Sequence, residues 1–97
     1  LQKHKDITDW INYKIMVKVE FFGLYRLDYG IAECEINADS IDELFCKLEK
    51  LNPKYSAKDL RDSIVIVNDV NIIKLRKYKT KLKDGDTVLI MSPASGG

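Results

Sequence analysis

The chain has 97 residues, of which 45% are hydrophobic and 32% charged, with a formal net charge of +1. That length suits one domain, and that balance belongs to a packed core rather than to a disordered chain or a polyanion binder acting through bulk charge. No apolar run approaches the roughly 18–20 residues of a membrane span, and nothing at the start reads as a secretory leader, so the expected location is the cytoplasm.

Two cysteines, Cys34 and Cys46, lack close spacing, and His4 is the only histidine. A zinc site takes three or four such ligands, so no metal is expected and the thiols read as reduced. The sequence shows no glycine-rich phosphate loop, no Ser/His/Asp set and no tandem repeat.

In chain order, residues 1–12 read as an N-terminal extension or an expression remnant. Ile7, Trp10 and Ile11 fall at helical spacing, as either a docking helix or a lightly tethered end. The domain proper is expected over 13–91. From 14 to 22 the pattern alternates: Ile15, Val17, Val19 and Phe21 on one face, Met16, Lys18, Glu20 and Phe22 on the other. That is the period of a half-buried strand whose second face is wet. Gly23-Leu24-Tyr25-Arg26 then reads as a loop. A second strand over about 30–38 turns Ala32, Cys34 and Ile36 inward, antiparallel to the first.

Residues 40–51 carry the clearest helix signal. Ser40 with Glu43 fits a capping box, and Ile41, Leu44, Phe45, Leu48 and Leu51 form an apolar stripe. Glu43 and Lys47 fall at the spacing of an exposed pair, and Pro53 stops the helix. Residues 54–63 read as irregular or a short helical turn anchored by Tyr55, Ala57 and Leu60. Residues 64–67 form a short strand, 68–69 a turn, and 70–73 a minor strand. Six basic residues then crowd into 74–83, to meet an acidic partner or a phosphate backbone, or as a solvated loop guarding a sheet edge. After a turn at Lys83-Asp84-Gly85-Asp86 comes the last strand, 87–91. Val88 and Ile90 face in; Leu89 and Met91 face the other way.

Ser92-Pro93-Ala94-Ser95-Gly96-Gly97 is the tail, residues 92–97. Two glycines bring no side chains to pack and lose the most backbone freedom when ordered. They make sense where a chain is threaded through a narrow space or handled chemically at its end. The predicted class is α+β, with one main helix packed across a mixed sheet of four or five strands.

This order resembles the ubiquitin-like β-grasp sulfur carriers, most of all the small subunit of molybdopterin synthase, with the thiamine-pathway carrier as a near relative. The likeness rests on Val19-Glu20-Phe21-Phe22-Gly23-Leu24, the helix from Ser40 to Leu51 and Ile66-Val67-Asn68-Asp69. It continues through Leu82-Lys83-Asp84-Gly85-Asp86-Thr87-Val88 and closes on Pro93-Ala94-Ser95-Gly96-Gly97. It implies a co-substrate rather than an enzyme alone. An E1-like adenylyltransferase would activate the Gly97 carboxylate with ATP, and sulfur from a desulfurase system would convert it to a thiocarboxylate. The large subunit of molybdopterin synthase, or an equivalent acceptor enzyme, would then take the sulfur. No bound cofactor is implied. The tail would be Pro93, Ser95, Gly96 and Gly97, with the partner-binding patch at Phe22, Leu24, Leu89 and Met91. The alternatives are a carrier for thiamine or another pathway, conjugation of Gly97 to a lysine, and a β-grasp binding module using 74–83 for protein or nucleic acid.

Overall fold

The computed structural model describes residues 15–93. The expectations for residues 1–12, and for Ser95, Gly96 and Gly97, lie outside that range. Strand β1 is Met16–Phe22, α1 Leu24–Tyr29, β2 Glu33–Asn37 and α2 Ile41–Leu51. They are followed by α3 Ala57–Leu60, β3 Ile64–Val67, β4 Val70–Asn71 and β5 Thr87–Met91. Two 3-10 turns, Ile72–Lys74 and Lys77–Lys79, lie between β4 and β5.

The five strands run β2-β1-β5-β3-β4. The central pair, β1 and β5, is parallel and every other pairing is antiparallel. The sheet is therefore mixed, with the first and last strands side by side. This is the ubiquitin-like β-grasp arrangement the sequence led us to expect.

The period of two in β1 has its expected result: Val17, Val19 and Phe21 are buried beneath the helix layer. Val88 and Ile90 of β5 and Val65 and Val67 of β3 join them. Helix α2 closes this face with Ile41, Leu44, Phe45 and Leu48, all at most 1% exposed. Leu51 is half exposed at 54%, so the apolar stripe ends one turn before the helix does.

The cap of α2 differs in detail from a full box. Ser40 Oγ accepts from Glu43 N at 3.1 Å, but Glu43 Oε1 accepts from Asp39 N rather than from Ser40. Lys47 Nζ donates to the Asn37 carbonyl at 2.7 Å, tying α2 to β2 instead of reaching Glu43. At α3 the reciprocal box does form, between Ser56 and Asp59. Asn68 and Asp69 both take positive φ, which lets the β3–β4 turn close tightly.

Two expectations need correction. Gly23–Arg26 is not a loop: Leu24 opens α1, which buries Tyr25 and stops at Gly30 in the left-handed conformation. Tyr25 and Tyr29, four apart, carry the helical face, and they hold this short helix by tertiary packing rather than by propensity. The second strand consequently starts at Glu33 rather than near 30. The basic segment, for its part, does not guard the sheet edge. It packs along the helix layer, where Thr80 O accepts from Ile41 N at 3.0 Å and Leu82 N donates to Asp39 O at 2.9 Å.

Because Leu48 is wholly enclosed, Leu48→Ala is expected to cost about 2–5 kcal/mol in chemical denaturation. A loss below about 1 kcal/mol would place the core elsewhere.

Candidate functional site

Both central strands end at the same level, because the parallel register pairs Phe22 with Met91. The chain turns at Gly23 on one side and leaves through Ser92 and Pro93 on the other. These two exits are bonded together. Ser92 N donates to Phe22 O at 3.4 Å, and Ser92 Oγ accepts from Leu24 N at 2.9 Å. The first N–H groups of a helix lack partners within it. Glycine at the N-cap position has no side chain to supply one, and the serine from the other end of the domain does so instead.

Gly23 is the only residue type that fits here. Its φ is +70°, and an added Cβ would stand 2.3 Å from Ser92 Oγ. Backbone conformation and contact both exclude a side chain. Ser92 is itself buried, at 8% exposure. The rigid body therefore extends one residue past β5 before Pro93.

Beside Pro93 lies a groove of about 320 Å³, lined by Leu24, Tyr25, Tyr55 and Ser92 together with Lys54, Asp59 and Asp62. Its wall is a tyrosine cluster. Tyr25 meets Tyr55 edge-on at 4.8 Å, and Tyr29 stacks on Phe21 at 4.5 Å. Tyr25 and Ser63 share a hydrogen bond of 2.7 Å between their hydroxyls. Burial pushes the Tyr29 hydroxyl up to about 12, and among the described residues it has no hydrogen-bond partner.

Asp28 ties this corner down. It accepts from the Tyr55 hydroxyl and pairs with Lys54 Nζ at 3.1 Å, while its own carbonyl takes Asn52 Nδ2 at 2.9 Å. The Tyr55 hydrogen bond, followed by the one from Lys54, holds the Asp28 carboxyl below its usual value. The same bond pushes the Tyr55 hydroxyl up to about 12.

The expected partner-binding residues occupy two places. Phe22 and Met91 are cross-strand neighbours on the outer face, and Leu89 follows on the next row, opposite Glu20. Leu24 stands apart, on α1 at the groove. Ile64 pairs with Met91 and Ile66 with Leu89, so β3 widens the apolar face beyond the sequence expectation. Phe22, Ile64 and Met91 are each 36–37% exposed. Lys18 bridges Glu20 at 3.5 Å and Glu33 at 3.6 Å on the same side of the sheet. The face thus grades from charged at the start of β1 to apolar where the tail leaves.

The sequence reading missed the Gly23–Ser92 contact, the tyrosine corner and the share of Ile64 and Ile66. Tyr25 and Tyr29 four apart, with Gly30 after them, could have revealed α1; nothing local announces a contact between residues 68 positions apart. Among the described residues, no group of three or more His, Cys, Asp or Glu is placed to hold a metal ion. No described helix is long and apolar enough to cross a membrane.

Comparison with known proteins follows the same outline. The model of the ThiS family matches residues 19–97. Small archaeal modifier protein 1 from Methanosarcina acetivorans is 24% identical, with a TM-score of 0.74 over 89% of this chain and 100% of that one. A putative molybdopterin converting factor, subunit 1, from Pyrococcus furiosus is 25% identical, with a TM-score of 0.68 over 82% of this chain and 99% of that one. A chain of the Amycolatopsis orientalis BexX/CysO complex is 23% identical, with a TM-score of 0.66 over 84% of this chain and 99% of that one. Curated proteins searched by sequence returned no match.

Two expectations are measurable here. Gly23→Ala should destabilise by more than the roughly 1–3 kcal/mol of a residue held in a sparsely populated backbone region, because it also meets Ser92. In a Ser92→Ala background the added cost should shrink toward the backbone value; equal costs in both backgrounds would disprove the contact. Asp28, with its carboxyl lowered in the fold, adds stability that is fully present above its unfolded value and is lost as pH falls through the folded one. The stability gap between wild type and Asp28→Asn should therefore be fully present at neutral pH and should shrink steadily as the pH falls below the usual carboxylate range, as urea titrations at several pH values would show.

Proposed function

The chain belongs to the ThiS family of ubiquitin-fold sulfur carriers, and from this premise we propose that the working atom is the carboxylate carbon of Gly97. The observation that carries the reading is the joined exit of the two central strands, fastened by Ser92 at 2.9 Å from Leu24 N. It gives the tail a fixed root on the folded body.

A carboxylate resists nucleophiles, because charge and resonance protect its carbon. An E1-like partner overcomes this with ATP. A Gly97 oxygen attacks the α-phosphorus, pyrophosphate leaves, and an acyl adenylate remains. The outer sulfur of a persulfide then displaces AMP, giving an acyl disulfide. A second thiol cleaves that disulfide, leaving Gly97 as a thiocarboxylate and the two donor sulfurs as a disulfide. The acceptor enzyme draws sulfur from this end.

Glycines at 96 and 97 suit that task, since any Cβ would narrow the conformations available inside a channel. Six residues reach at most roughly 20 Å, so the body stays outside while the end enters. Phe22, Leu89 and Met91, extended by Ile64 and Ile66, form the docking face beside the root, and Leu24 joins from the groove. An apolar patch of this kind next to a functional end fits a protein partner.

Among possible acceptors we favour the large subunit of a molybdopterin synthase. The likeness to the Pyrococcus furiosus converting-factor subunit supports this choice. Sulfur transfer in another pathway uses the same root and the same first two steps.

Incubation with the cognate activating enzyme, ATP and a persulfide donor should raise the intact mass by the exchange of one oxygen for one sulfur. Removal of Gly97 should abolish the shift while leaving the fold intact. Phe22→Asp and Met91→Asp should raise the apparent KM of activation by about tenfold or more without unfolding the domain. An unchanged mass with an active cognate enzyme would overturn the reading.

A further inference from the structure

The segment 74–83 takes no part in the tail root, yet it holds the largest charge asymmetry in the molecule. Lys74, Arg76, Lys77, Lys79, Lys81 and Lys83 fall within ten residues that contain no acid; the rest of the chain carries ten Lys and Arg against fifteen Asp and Glu. All six are exposed, and none enters a salt bridge among the described residues. Interleaved with them are Ile73, 71% exposed, and Leu75, 42% exposed.

Burying these two aliphatic side chains under a partner would be favourable, since each now stands in water. Lys77 adds a second irregularity. Its φ is +53°, a conformation in which a long side chain is strained and which glycine would occupy at less cost. Strain kept in this form calls for a functional reading.

Two hollows flank the segment. One, of about 380 Å³, includes Ile72, Ile73, Lys77 and Tyr78 in its lining. The other, of about 400 Å³, is lined by Arg76, Lys79 and Lys81 with Ser40 and Asp42. Asp42 is the acid in that lining, and it is engaged by Arg61 at 3.4 Å.

We propose that this strip is a second interaction surface, and that its partner is an acidic protein segment bearing aliphatic side chains. The partner's apolar groups meet Ile73 and Leu75 and enter the first hollow. Its carboxylates meet Arg76, Lys79 and Lys81 at the second. A nucleic acid fits the strip less well. Phosphates need cations alone, and bases need open aromatic faces. The one aromatic ring here, Tyr78, is half-buried, covered by Arg61 at 4.7 Å and packed toward Phe45. The strip lies on the helix layer, whereas Phe22 and Met91 lie on the outer face of the sheet. Both surfaces are therefore open to partners at once.

The test is an amide chemical-shift titration of the full chain with four probes. They are a synthetic peptide of Glu and Leu, the same peptide with Ser for Leu, polyuridylate, and phosphatidylserine vesicles. The Glu/Leu peptide should bind tightest, with shifts centred on residues 71–81. Reversing Lys77, Lys79 and Lys81 to Glu should weaken it about tenfold or more, and Ile73→Ser with Leu75→Ser should weaken it without changing its salt dependence. Variants are scored only where the remaining amide spectrum matches wild type. Equal binding of the Ser peptide, tighter binding of polyuridylate or vesicles, shifts centred on another face, or no binding at all would overturn the proposal. Thiocarboxylation of the charge-reversed variant, measured in parallel, keeps this outcome separate from the reading of the tail.

Discussion

The parallel pairing of β1 with β5 is the constraint on which the rest of this structure depends. A parallel pair cannot be joined by a tight turn, so everything between the two strands must travel around and return. Here that intervening chain supplies β2, the helices, β3 and β4, and it fills the core. Parallelism also sends both strands out at one edge. The register from Lys18↔Thr87 to Phe22↔Met91 sets where they leave, and the Ser92 hydroxyl on Leu24 N secures it. Residue 92 is thereby bound to the first turn of α1 rather than to its own neighbours.

In the proposed reading this placement lets the body be plain while its end does the work. Among the described residues no cluster of His, Cys, Asp or Glu is placed to hold a metal ion; on that reading a partner brings the chemistry and ATP its driving force. The body offers recognition and a defined starting point for the reach. A serine at the root serves both the fold and this role. Its hydroxyl completes α1, and its burial leaves Pro93 as the first partly exposed residue after the strand. The tyrosine corner behind it, tied through Asp28 and Tyr55, keeps α1 from shifting and so keeps the root in place. The outer face grades from the Lys18, Glu20 and Glu33 charges to the apolar end beside Ser92 and Pro93, the end at which the proposed partner would dock.

Much of this was legible in the sequence because it is local. Alternation marked β1 and β5, and the stripe from Ile41 to Leu48 marked α2. Those signals come from periods of two and 3.6 residues, which short windows reveal. What escaped was non-local or very short. Helix α1 has six residues and no side-chain cap of its own, so its sequence reads as a turn. The fit of Gly23 against Ser92 arises only once the parallel register exists. The short apolar strand 64–67 gave no sign of which residues face out, whereas the structure turns Ile64 and Ile66 outward beside Met91 and Leu89. The lysines of 74–83 were plain to see, but the docking of that segment on α2 is made by Thr80 and Tyr78, which carry no local signal for it.

If the far end is the substrate and the folded body its holder, Gly97 must first be carried to an acyl adenylate. ATP–pyrophosphate exchange catalysed by the cognate activating enzyme tests it most directly, because exchange reports acyl-adenylate formation before any sulfur moves. The chain ending at Gly97 should support exchange, and the chain shortened by that one glycine, with an unchanged fold, should not. Equal exchange from both would contradict the account.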